Sequence, residues 1–135
     1  MSDNNRTKTR IMVVDDDPSM IRMVTDTLED LGYEVMSAGD GNKGLACIEF
    51  FKPDLAILDL MMPKRSGLLV LEGMREMEQY IPAIMITGND GSRHRHYAEI
   101  LGVDAYLNKP IRMEMLSRTV QRVLKEQTQA QDQQV

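Results

Sequence analysis

Five short apolar runs recur along this chain, separated by longer amphipathic stretches, and that alternation limits the folds available to it. Ile11-Met12-Val13-Val14 is nearly all apolar, as expected of a parallel strand covered on both faces. It stops abruptly at Asp15-Asp16-Asp17-Pro18. Residues 19–31 then place apolar side chains at helical spacing, with Asp17 and Pro18 as an N-cap and first-turn pair and Gly32 as a stop. The pattern repeats four times. Residues 33–37, 55–58, 83–86 and 105–107 read as strands, and residues 42–51, 66–80, 92–101 and 111–126 read as helices. Five strand-then-helix units predict an α/β domain built on a parallel sheet, with right-handed crossovers and helices on both faces.

Length and composition narrow the function. At 135 residues there is room for one ordinary domain. A net charge of -5 argues against direct nucleic-acid binding, which needs clustered Lys and Arg. The single cysteine, Cys47, rules out an intramolecular disulfide and favours a cytoplasmic location. No apolar run is long enough to span a membrane. Twelve methionines and no tryptophan predict a core packed by flexible, gap-filling side chains. Residues 1–8 read as a flexible N-terminus, 9–126 as the domain, and the Gln-rich segment 127–135 as a disordered tail.

The chemistry lies at the strand ends. The first strand ends in Asp15 and Asp16, the third in Asp59, the fourth in Thr87, and the fifth in Asn108-Lys109-Pro110. A parallel sheet puts these ends on one edge, where ligands of open α/β sheets collect. Three carboxylates there repel one another unless cations neutralise them. Lys109 supplies one positive charge, and an oxygen-ligated divalent ion such as Mg2+ suits the rest. A carboxylate can act as a nucleophile toward phosphorus, and Asp59 is the candidate. Mg2+, Lys109 and Thr87 would each take one phosphoryl oxygen.

The chain resembles the receiver domain of bacterial two-component response regulators over residues 9–126. The matching stretches are Ile11 to Pro18, Asp59-Leu60-Met61-Met62-Pro63 with Gly67, Ile86-Thr87-Gly88, and Tyr106-Leu107-Asn108-Lys109-Pro110. The resemblance implies a flavodoxin-like fold with strand order 2-1-3-4-5. It implies that Asp59 accepts a phosphoryl group from a sensor histidine kinase or a histidine phosphotransfer protein. Mg2+, with Mn2+ as a substitute, would be held by Asp15, Asp16, Asp59 and the Met61 backbone carbonyl. The Lys109-Pro110 peptide would be cis. Thr87 and Tyr106 would form a switch that reshapes the surface of the fourth helix, fifth strand and fifth helix. That surface would meet a downstream protein target, or a second copy of the chain after phosphorylation. Met61 and Asn89 would tune the lifetime of the phosphate.

Two rivals differ in kind. A phosphohydrolase with an aspartyl-phosphate intermediate usually carries a second acid two residues past its nucleophile, and position 61 is Met. A phosphorylation-independent interaction module usually loses an acid or the lysine, and this chain keeps all of them. The resemblance therefore implies a switch that catalyses only its own phosphorylation and dephosphorylation.

Overall fold

The computed structural model describes residues 8–60, 67–88 and 92–133. Ten elements alternate along it: β1 (Arg10–Val14), α1 (Pro18–Asp30), β2 (Glu34–Ala38), α2 (Gly41–Phe51), β3 (Leu55–Asp59), α3 (Gly67–Arg75), β4 (Ala83–Thr87), α4 (Ser92–Leu101), β5 (Ala105–Asn108) and α5 (Met113–Gln133). The strands form one parallel sheet in the order β2-β1-β3-β4-β5, the flavodoxin-like arrangement expected from the sequence.

Side chains alternate across the sheet, so each strand feeds two cores. Met12, Val14, Ala56, Leu58 and Met85 face one way and pack with Ile48 and Phe51 of α2, Leu71 and Met74 of α3, and Ala98 of α4. Ile11, Val13, Ile57, Ile84 and Ile86 face the other way, against Val24 and Leu28 of α1 and Leu116, Val120 and Val123 of α5. β1, β3 and β4 are buried along almost their whole length, which explains their unbroken apolar runs. Each fully buried Leu or Ile contributes roughly 1.5–3 kcal/mol, so the three central strands form a stiff base for what their ends carry.

The capping follows the sequence signals. The Asp17 side chain accepts from the Ser19 amide and Pro18 opens α1, while Asp40 does the same for α2 through the Lys43 amide. Two helix ends depart from expectation. α3 stops at Arg75 and not near residue 80, because the Glu76 and Met77 amides turn back to Gly73 and Met74 three residues earlier. α5 continues to Gln133, so helix covers most of the segment read as a disordered tail. No Gly or Pro interrupts it, and Gln and Ala are good helix formers.

Candidate functional site at the strand ends

The sheet ladder carries on past the strands and fixes the residues just beyond them. The Asp15 amide donates to the Ala38 carbonyl at 3.1 Å, Leu60 to Ile86 at 2.8 Å, and Lys109 to Thr87 at 2.9 Å. Asp15, Asp59 and Thr87 are thereby held in the sheet's own register, at 1%, 2% and 7% exposure, while Asp16 is open to solvent. One oxygen from each of Asp15, Asp16 and Asp59 lies within 4.8 Å of the others. The Lys109 ammonium approaches from β5, with Nζ 3.2 Å from Asp59 Oδ2.

The electrostatics of this cluster are unbalanced. Asp15 Oδ1 accepts from the Asp17 amide at 2.9 Å, but its Oδ2 is buried with no hydrogen-bond partner among the described residues. Burial, opposed by the Asp17 amide and reinforced by the neighbouring Asp59 charge, pushes the Asp15 pKa up to about 6. At Lys109 burial acts to lower the pKa, yet the attraction of Asp59, Asp15 and Asp16 outweighs it and the net shift is upward. Among the described residues, one ammonium therefore faces three carboxylates. An orphaned carboxylate oxygen beside two more is the donor set of a hard divalent cation, so Asp15, Asp16 and Asp59 fit such an ion. A groove of about 420 Å³ runs from Asp15 and Asp16 along α1, past Ile21, Arg22 and Thr25.

The other expected site residues have mixed outcomes. Thr87 sits at the buried end of β4, paired in register with Asn108. The Lys109-Pro110 peptide is cis. Tyr106 is half-buried on β5, and its hydroxyl donates to the Arg95 carbonyl of α4 at 2.6 Å. Met61 and Asn89 lie outside the described residues. Cys47 is partly buried and packs against the core, as a small apolar residue does.

Two contributors escaped sequence reasoning. A Cβ on Gly67 would fall 2.2 Å from the Asp59 carbonyl oxygen, so α3 begins in direct backbone contact with the candidate acceptor. Gly67 stood in a matching stretch, but nothing in the sequence shows that approach. Arg95 lays its guanidinium over the Tyr106 ring, 4.6 Å from the centroid. Arginine on a polar helix carries no signal of such a contact.

Comparison with known proteins agrees with this geometry. The family model described as the response regulator receiver domain matches residues 11–121. The chain is 34% identical over 116 residues to the alkaline phosphatase synthesis transcriptional regulatory protein PhoP of Bacillus subtilis, covering 86% of this chain and 48% of the relative. It is 37% identical over 118 residues to the DNA-binding dual master transcriptional regulator RpaA of Synechocystis, covering 86% and 49%. The chain thus spans about half the length of the curated relatives it matches, and their names lend no support to an absence of nucleic-acid contact. Among solved structures, a CheY-like response regulator receiver domain protein from Methanospirillum hungatei superposes with a TM-score of 0.88 at 31% identity, covering 92% of this chain and 99% of that one. Chemotaxis protein CheY4 of Vibrio cholerae gives 0.82 at 34% identity, covering 87% and 99%.

Proposed function

Because the chain belongs to the response regulator receiver domain family, we propose that it is a phosphoacceptor switch whose acceptor is Asp59. The observation that carries this reading is the convergence of three carboxylates, with oxygens within 4.8 Å of one another, beside the Lys109 ammonium. An Asp59 carboxylate oxygen forms the new O–P bond as the P–N bond of a phosphohistidine donor breaks, and the departing imidazole takes its proton from solvent. Asp15, Asp16 and Asp59 would hold Mg2+, which would supply charge neutralisation for the transferring group. Lys109 is already 3.2 Å from Asp59 Oδ2 and exchanges that carboxylate contact for a phosphoryl oxygen. Thr87 takes another oxygen through its hydroxyl, and Tyr106 follows the Thr87 displacement, altering the face made by α4, β5 and α5.

The donor is a sensor histidine kinase or a histidine phosphotransfer protein, and the altered face meets a downstream protein. The cytoplasm is the compartment in which such donors deliver phosphate, and no described helix is long and apolar enough to cross a membrane. Met at position 61, where a turnover phosphohydrolase would carry its second acid, supports a switch. The retained acids and lysine support phosphorylation over a purely passive interaction module.

Incubation with phosphoramidate and Mg2+, followed by intact mass and phosphate release, tests the reading. The expected result is a gain of one phosphoryl group that Asp59→Asn loses. Release over many turnovers would favour a hydrolase, and the absence of labelling under every condition would favour the interaction module.

A further inference from the structure

We propose that Arg95 is a positioning residue for the switch: it clasps Tyr106 and sets how readily the domain leaves its resting state. This inference rests on the phosphoacceptor reading. Met85 pairs with Tyr106 and Thr87 with Asn108, so Tyr106 projects from the same sheet face as Thr87, one step along the neighbouring strand. A ring placed there has two destinations, toward Thr87 or against α4. Its hydroxyl is committed to α4, donating to the Arg95 carbonyl at 2.6 Å. The Arg95 guanidinium covers the ring from above, with Cζ 4.6 Å from the centroid. Glu99, one turn further along, reaches Arg95 Nε at 3.8 Å and orients the guanidinium. A single residue thus grips the ring twice, through backbone and side chain.

The clasp acts on a weakly seated helix. Ala98 is the one fully buried side chain among those described on α4. The C-terminal end of α4 is pinned by Arg75, whose guanidinium donates to the Leu101 and Gly102 carbonyls at 2.8 Å. Toward its N-terminal half, the described tie to β5 is Tyr106 on Arg95. Moving the ring toward Thr87 therefore breaks both grips and loosens that half of α4 from β5, while Arg75 holds the C-terminal end and the Tyr97 hydroxyl still donates to Glu72 of α3. The ring's release and the rearrangement of the partner-binding face become one event, and Arg95 opposes it. Weakening the clasp enlarges the population with the ring turned toward Thr87, and the labelling rate rises by the same factor while that population is minor. A surface cation–π contact corresponds to a shift of roughly two- to fivefold between the states.

The test compares wild type, Arg95→Ala and Arg95→Lys, each alone and combined with Tyr106→Leu. One readout is the NOE between the Tyr106 ring and the Thr87 methyl group in unphosphorylated, ring-labelled protein. The other is the rate of Asp59 labelling by phosphoramidate and Mg2+. In Arg95→Ala the NOE should strengthen and labelling should accelerate about two- to fivefold. Arg95→Lys should fall between it and wild type, and the acceleration should vanish in the Tyr106→Leu background. An unchanged NOE in Arg95→Ala, or equal acceleration with and without Tyr106, overturns the clasp. If wild type takes no phosphoryl group at all, the phosphoacceptor reading fails, while the NOE comparison still decides whether Arg95 holds the ring.

Discussion

Asp15 carries a charge that its surroundings do not fully satisfy, and this has a measurable cost. Its pKa is about 6 in the fold against an ordinary 3.8, so the folded protein binds the proton more tightly than the unfolded chain. The associated stability is fully present below pH 3.8 and is lost as pH rises through about 6. In EDTA at pH 7, Asp15→Asn should therefore raise unfolding stability by about 1–3 kcal/mol, since it removes the charge while keeping an acceptor for the Asp17 amide. That gain should fade below pH 6 in urea titrations, and a constant gain across pH would show another origin. With Mg2+ added the order should reverse, because wild type gains stability from the bound ion and the variant binds it poorly. Asp16→Ala should likewise lose Mg2+ binding by calorimetry while leaving the fold intact. Gly67 is the second residue whose replacement is informative. Gly67→Ala drives a methyl group into the Asp59 carbonyl, and backbone cannot yield as a side-chain tip can. The variant should lose about 1–3 kcal/mol and label more slowly at Asp59. The strand-end placement of Asp15, Asp59, Thr87 and Lys109 was legible because each closes or shortly follows an apolar run. The contacts of Gly67 and Arg95 were not, because they are distances to residues on other elements.

Among the elements, strands were read more faithfully than helix ends. A buried parallel strand has an unmistakable apolar run, whereas a helix end is decided by partners from elsewhere. Arg75 shows this best. Its side chain donates to Leu101, Ile81 and Gly102 at 2.8–2.9 Å, and Tyr80 stacks on it 4.5 Å away. The Tyr80 hydroxyl donates to Asp104, which also accepts from the Ala83 amide, and burial with that carboxylate pushes the Tyr80 pKa up to about 12. α3, α4 and the start of β4 and β5 are thus laced together at the sheet edge opposite the candidate site. The apolar periodicity running on toward Met77 gave no hint that this guanidinium would be drawn away to neighbouring carbonyls. Arg75→Ala should cost about 2–4 kcal/mol in denaturant unfolding, because three carbonyls lose a charged donor. Arg75→Lys should recover little of it, since an ammonium cannot reproduce the planar fork.

For the molecule as a whole, the parallel sheet and the two-sided core follow from binary pattern and crossover rules, whereas the strand order is what the family resemblance implies, and the structure agrees with both. The extension of α5 does not follow from them. Beyond Glu126 its described side chains are exposed apart from half-buried Gln127, so removing residues 127–135 should lower helical signal yet shift the melting temperature by less than about 4 °C. A larger loss would mean that the helical extension supports the core. The ion pair between Lys109 and Asp59 joins residues 50 apart in sequence, across β3, β4 and β5. In chain order, Asp59 closes β3 and Lys109 follows only after β4 and β5. On the phosphoacceptor reading, the charge balance around Asp59 is therefore complete only once the fifth strand has docked.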